Sequence, residues 1–355
     1  MALTWVELVY SFSCQRFFVR VQEIKVFNGD ADGICALHQL GLLQPSARRA
    51  RWQLITGVKR DIRLLEKIKD TRGADITVLD ISLDANRESL AALLAQDNIV
   101  CYIDHHFSGE IPTSPLLTQS IDPSPRTCTS LLVDEFIGQI FPKWALVGAF
   151  GDNLDEEAST FAKRLGIEEE QIKKIRELGR LINYNSYGLV LDDLHVAPQN
   201  LLQDLHDYAD PVDYFDHSTL LAQLRQGHAH DMALAEQCLP AYELPAGRVY
   251  ILPTAPWANR IVGIFANRCC REEPHKAHAI MQRLGDGSLR VSVRAPLDNQ
   301  TGADVLCHFF PGGGGRAAAA GINQLPADQL GPFLKLFAEQ FPAQDLRPPT
   351  EKIPS

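Results

Sequence analysis

Apolar and polar positions along residues 22–155 repeat one arrangement: a short apolar run, an acidic tip, then a stretch with helical spacing. Glu23-Ile24-Lys25-Val26-Phe27 predicts a strand that stops at Asn28-Gly29-Asp30, with a helix over 34–40 behind it. Ile76-Thr77-Val78-Leu79 runs into Asp80 and a helical stretch over 85–97 follows; Ile99-Val100-Cys101-Tyr102-Ile103 runs into Asp104-His105-His106. Helices are expected over 131–140 and 144–150, the second closing at Gly151-Asp152-Asn153. Strand, polar tip and helix make the βα unit of a parallel sheet, in which ligands gather at the carboxyl ends of the strands. Three strands and one helix thus end in an aspartate.

Residues 156–245 read as a mainly helical connector with no dense group of metal-ligand types. A smaller α/β unit is then expected over 246–340, with strands at 247–252, 277–283 and 289–294, a helix at 257–270 and a turn at Gly285-Asp286-Gly287. It ends in the loop Gly312-Gly313-Gly314-Gly315-Arg316 and the small-residue run over 317–321. The layout is therefore an extension over 1–21, a parallel-sheet domain over 22–155, the connector, the second α/β domain and a tail over 341–355. There is no internal repeat.

Bulk properties narrow what this layout can serve. A chain of 355 residues can bury two cores without disulfide or structural metal. Its net charge of −10 and scattered basic residues, densest at Arg48-Arg49-Ala50-Arg51, argue against a grip on long nucleic acid, which needs a basic face. A small anion in a local pocket is compatible. None of the eight cysteines forms a C-x-x-C pair, and several sit in apolar runs, as small buried hydrophobes do in a reducing cytoplasm. Residues 1–20 carry Glu7, Gln15 and Arg16 and lack a basic leader, so no signal peptide is expected, nor a membrane span.

Candidate chemistry lies at the acidic tips. Hard divalent cations take carboxylates, and imidazole joins them on manganese, iron or zinc. Asp30, Asp32, Asp80, Asp104, His105 and Asp152 would converge on one rim, more donors than one ion needs and a number that suits two. Each piece has a plain alternative. D-x-D-G is a common turn, a strand-end Asp usually caps a helix, and a His pair can be surface loop. Their joint occurrence at successive strand ends is what those alternatives explain badly.

The chain resembles the DHH phosphoesterase superfamily, in its two-domain branch with a DHH-associated C-terminal domain. Asp104-His105-His106 matches the namesake motif. Asn28-Gly29-Asp30-Ala31-Asp32-Gly33 matches the first motif, Asp80 the second, Asp152 in Gly151-Asp152-Asn153 the fourth, and Gly312-Gly313-Gly314-Gly315 with 317–321 the C-terminal signature. The resemblance spans about residues 22–325 and implies an active site in a cleft between the domains. It implies that Asp30 binds one ion, Asp32 the other, and Asp80 both, with His105 and Asp152 completing the second. His106 would contact the scissile phosphate or leaving oxygen, and Asp104 would orient an imidazole. Two divalent ions are implied, manganese first, with magnesium or cobalt as alternatives.

Two departures from the family pattern stand out. Where relatives carry a further His or Asp ahead of the D-x-D pair, this chain has Asn28, a weaker ligand, and Val26, which cannot ligate. The first ion would then bind more loosely. Relatives' Gly-rich loop ends in His, whereas here Gly315 is followed by Arg316, which can anchor a terminal phosphate bidentately or simply cap the loop. Arg290, Ser292 and Arg294 alternate and so share a strand face; the resemblance places Ser292 and Arg294 in the substrate cleft, with Gly313, Gly314 and Gly315.

Within the superfamily, the expected substrate is a linear 5′-phosphorylated dinucleotide of the pGpG type or a very short oligonucleotide, hydrolysed to mononucleotides. A nucleoside bisphosphate such as phosphoadenosine phosphate, a short single strand, and a nucleotide-binding regulator with impaired catalysis are the alternatives. The sequence does not choose between monomer and homodimer.

Overall fold

A computed structural model describes residues 22–245 and 247–342. The expected extension over 1–21 and nearly all of the expected tail lie outside the described residues. The chain forms two compact units, the first ending at Gln226 and the second beginning at Gly227.

The first unit is built on a five-stranded sheet. Its strands are β1 (Glu23–Phe27), β2 (Gln53–Ile55), β3 (Asp75–Leu79), β4 (Ile99–Asp104) and β5 (Leu117–Ile121). They pair in the order β2-β1-β3-β4-β5, and every pairing is parallel. The chain moves outward from β1 on both sides, so β1 and β3 flank the point where the order reverses. Ligands of open parallel sheets settle there, beyond the carboxyl ends. The edge strands β2 and β5 were not expected from the sequence. One is three residues long and the other exposes Thr118 and Gln119, so neither carries the apolar run that marks a central strand.

Helix α1 (Ala31–Leu42) follows β1 and α2 (Leu83–Leu94) follows β3. Next come α3 (Thr129–Phe136), α4 (Pro142–Gly151), α5 (Asp155–Arg164), α6 (Glu169–Asn185), α7 (Pro198–Leu205) and α8 (Pro211–His217). One face of the sheet is covered by a core of Ile24, Val26, Ile76, Val78, Leu90 and Tyr102. On the other, Phe27, Leu79 and Ile103 join Ile34, Trp144, Phe150, Ile175, Ile182 and Leu202. The helices after Asp155 thus share the core of the strands and belong by packing to the first unit. Helix α4 is apolar all round and buried from Trp144 to Gly151, as expected for a helix enclosed by others.

The second unit contains β6 (Tyr242–Leu244), β7 (Gly247–Leu252), α9 (Pro256–Glu272), β8 (Ala277–Arg283), β9 (Leu289–Arg294), α10 (Ala303–His308), β10 (Gly313–Arg316), β11 (Ala319–Leu325) and α11 (Leu330–Gln340). Its sheet runs β10-β11-β9-β8-β7-β6, antiparallel except for β7 beside β8. The glycine-rich segment expected as a loop is in part a strand: Gly313 to Arg316 pair with Ile322 to Ala319 in a hairpin. Glycine hides strand character from a propensity reading, and the ladder with β11 supplies it instead.

Candidate metal centre

Each carboxylate of the predicted cluster sits at or beside the end of an element. Asp30 is the N-cap of α1; its Oδ1 accepts the N–H groups of Asp32 (3.0 Å) and Gly33 (3.1 Å). Asp32, in the first turn of α1, caps a different helix. Its Oδ2 accepts from Thr129 N at 2.7 Å and its Oδ1 from Ser130 N at 2.8 Å, so both oxygens hold the first turn of α3. That helix has no side-chain cap of its own. Asp80 follows β3 with φ of +58°, a left-handed conformation that aspartate tolerates better than most residues, and Thr129 Oγ1 donates to its Oδ1 at 3.2 Å. Asp104 closes β4 fully buried, and Asp152 caps the carboxyl end of α4.

These elements converge on His105. Its Nε2 lies 3.4 Å from Asp80 Oδ1, 3.7 Å from Asp152 Oδ2 and 3.9 Å from Asp32 Oδ2. Donors about 2.0–2.2 Å from a common ion sit roughly 3–4 Å from one another, a distance that His105 Nε2 keeps from each of these oxygens. Asp80, His105 and His106 bring ligand atoms close enough together to hold such an ion. His106 is 43% exposed and donates from Nδ1 to Asp104 Oδ1 at 2.7 Å, while Asp104 Oδ2 is buried without a hydrogen-bond partner.

The electrostatics ask for positive charge. Burial, then the neighbouring Asp30, Asp32, Asp152 and Asp104, push the Asp80 carboxyl well above the usual carboxylate range. Asp152 is also raised, by burial first, and the relief from Lys59 is outweighed by burial together with Asp32 and Asp30. Asp30 goes the other way: burial would raise it, but the Lys59 charge and hydrogen bond and the Gly33 N–H prevail. Burial pulls His106 down, yet the bond and charge of Asp104, with Asp152 and Asp30 beyond, hold it above its ordinary value.

Lys59 is the residue that sequence reasoning missed. Its Nζ forms an ion pair with Asp30 Oδ2 and lies 3.3 Å from both Asp152 Oδ1 and Asn183 Oδ1. The segment around it reaches the turn because Gly29 has no side chain; a Cβ there would meet Gly57 O at 1.9 Å. Asn183 belongs to the polar-aromatic stretch Asn183-Tyr184-Asn185-Ser186-Tyr187-Gly188, and Ser186 O accepts the Lys59 N–H at 3.1 Å. Asn28, a candidate ligand, is engaged elsewhere: Oδ1 accepts from Asp30 N (3.2 Å) and Nδ2 donates to Lys59 O (3.2 Å).

The remaining predicted residues lie in the second unit. Arg294 donates to Asn267 Oδ1 (2.8 Å) and to Ser292 Oγ (3.0 Å), so those two strand residues are bonded to each other. Arg316 is exposed at the end of β10, with Gly313, Gly314 and Gly315 before it.

No protein-family model and no curated protein matches the chain. Solved structures do. A DHH-domain member of the S1p family of ribosomal proteins is 15% identical, over 95% of this chain and 92% of its own, with a TM-score of 0.59. Exonuclease RecJ bound to manganese is 16% identical, over 97% and 96%, with a TM-score of 0.58. RecJ from Thermus thermophilus in complex with Mn2+ is 18% identical, over 97% of this chain but 56% of that one, with a TM-score of 0.59. The chain therefore has the fold of DHH-family proteins over nearly its full length.

Proposed function

We propose that this chain is a metal-dependent phosphodiesterase that hydrolyses linear 5′-phosphorylated dinucleotides, the pGpG type included, and very short oligonucleotides to nucleoside monophosphates. The observation that carries the reading is the approach of His105 Nε2 within 3.9 Å of carboxylates from three separate elements, Asp32, Asp80 and Asp152. Asp32, Asp80, His105 and Asp152 would hold a divalent ion, and manganese suits this mixed oxygen and nitrogen set. When bound, such an ion acidifies water and draws electron density from a phosphoryl oxygen.

The chain's own residues then have distinct tasks. The bond to Asp104 fixes Nδ1 of His106 as a donor and leaves Nε2 to meet the phosphate or donate to the leaving oxygen. Asp32 stays in place because α3 holds both its oxygens. Charge supports this substrate class: at −10 the chain suits a small anion better than a long strand. Arg316 offers a guanidinium to a terminal phosphate, and Phe107, 72% exposed directly after His106, offers a flat face to a base.

A product assay with manganese tests this, across pGpG, other dinucleotides, longer strands, phosphoadenosine phosphate and pyrophosphate. Wild type should release mononucleotides from dinucleotides, and His105→Ala with His106→Ala should lose more than ~100-fold in rate, since even outer-shell partners cost 10–100-fold. Intact dinucleotides beside cleaved longer strands would make the chain a short-strand exonuclease. Cleavage of phosphoadenosine phosphate alone would make it a bisphosphate phosphatase. No turnover even of bis-nitrophenyl phosphate would leave a nucleotide-binding regulator.

A further inference from the structure

Two positions for positive charge can be distinguished in the centre, and the chain's own ammonium stands at one of them. Around His105 Nε2, the oxygens Asp80 Oδ1, Asp152 Oδ2 and Asp32 Oδ2 stand at 3.4, 3.7 and 3.9 Å. On the other side of Asp152, its second oxygen and Asp30 Oδ2 face each other across the Lys59 ammonium. Asp152 thus has one oxygen beside the His105 imidazole and the other beside the Lys59 ammonium.

Both oxygens of Asp30 are engaged with Lys59 in place. Its Oδ1 is held by the N–H groups of Asp32 and Gly33, and its Oδ2 by Nζ. Asn183 Oδ1, 3.3 Å away, gives the ammonium a third oxygen partner. Lys59 is also seated from its backbone, where its N–H donates to Ser186 O (3.1 Å) and its carbonyl accepts from Asn28 Nδ2 (3.2 Å). Asn28, the side chain nearest in sequence that could help bind a second ion at Asp30, instead anchors the lysine that stands there. A divalent ion at this position would have to share Asp30 and Asp152 with a fixed positive charge a few ångströms away.

From this we infer that Lys59 takes the place of a second divalent ion, so that the centre works with one metal and one ammonium. Resting on the phosphodiesterase reading, the inference fixes the number of ions and gives Lys59 a positioning and charge-balancing role at Asp30 and Asp152. It also predicts that removing the ammonium uncovers a second metal site.

Metal stoichiometry tests it without reference to turnover. Manganese would be titrated into the full chain, with bound ion counted by equilibrium dialysis and by electron paramagnetic resonance, which separates isolated ions from coupled pairs. Wild type should bind one Mn2+ per chain, with the spectrum of an isolated ion. Lys59→Met should bind two as a coupled pair, the second at least tenfold tighter than in wild type, while Lys59→Arg should stay at one. Two tightly bound, coupled ions in wild type overturn the inference and leave the phosphodiesterase reading standing. So does a Lys59→Met protein that folds, by circular dichroism, and still binds one. If wild type binds no manganese, the metal centre itself is wrong, and both fall.

Discussion

Asp104 Oδ1 accepts the Nδ1 proton of His106 at 2.7 Å, and that bond decides which nitrogen the histidine presents outward. Asp104 is fully buried at the end of a central strand, so its position cannot drift with solvent. Asp104→Asn removes the charge and lets an amide turn its own N–H groups toward the ring. The expected result is a fall in kcat of ~10–100-fold on bis-nitrophenyl phosphate, the range for loss of such supporting partners. A rate within threefold of wild type, in a protein with unchanged circular dichroism, would refute the orienting role.

A second histidine pair sets the response to acid. His38 Nε2 lies 3.1 Å from Tyr208 O, to which it can only donate, so Nδ1 of the neutral ring accepts from His206 Nδ1 at 3.2 Å. Burial, then His206, pull His38 down to about 3; burial, then Arg49, pull His206 to about 4 despite Asp207. Both folded values lie below the ordinary value of 6.5. The unfolded chain therefore binds these protons first, and stability is complete above that value and falls as pH drops toward the folded ones. His38 alone accounts for about 2 kcal/mol by pH 5. Urea unfolding at pH 7 and pH 5 should show this loss, and His38→Gln should lessen it by the His38 share; an equal slope in the variant would remove His38 as a source.

The proposed phosphate contact of Arg316 can be tested apart from the chemistry. It is exposed at the end of β10, and a charge-assisted pair with a terminal phosphate contributes about 1.5–3 kcal/mol, or ~10–100-fold in binding. Arg316→Ala should raise KM for a 5′-phosphorylated dinucleotide by that factor and leave the unphosphorylated dinucleotide unchanged. Equal effects on both substrates would argue against a terminal-phosphate contact.

The adjacent glycines divide into packed and open. A Cβ on Gly313 would meet Cys307 O at 1.9 Å, whereas one on Gly314 would find only His308 Nε2, at 3.9 Å. Gly313→Ala should cost about 1–3 kcal/mol of stability, as overpacking does, and Gly314→Ala within ~0.5. Thermal unfolding of the pair would show whether the first glycine serves the hairpin; equal melting temperatures would deny it.

The acidic tips were legible because each sits where an apolar run stops, at Phe27, Leu79, Ile103 and Gly151, and local backbone geometry then aims the carboxylate. Lys59 was not, because it lies in an irregular stretch without periodicity and finds its partners 29, 93 and 124 positions away. Nor was the second duty of Asp32, which holds residues 97 and 98 positions further on. Those contacts depend on helices that no strand pattern announces. The β10 hairpin was hidden for the opposite reason: its signal belongs to the partner strand.

The left-handed backbone at Asp80 also constrains which replacements the chain can accept there. Alanine, valine or glutamate would each have to enter a conformation that most side chains resist, whereas asparagine and glycine enter it readily. Drift at this position is thus channelled toward residues that preserve the turn and discard the charge. A descendant of this protein could lose this carboxylate while keeping its shape, and its fold alone would not betray the loss.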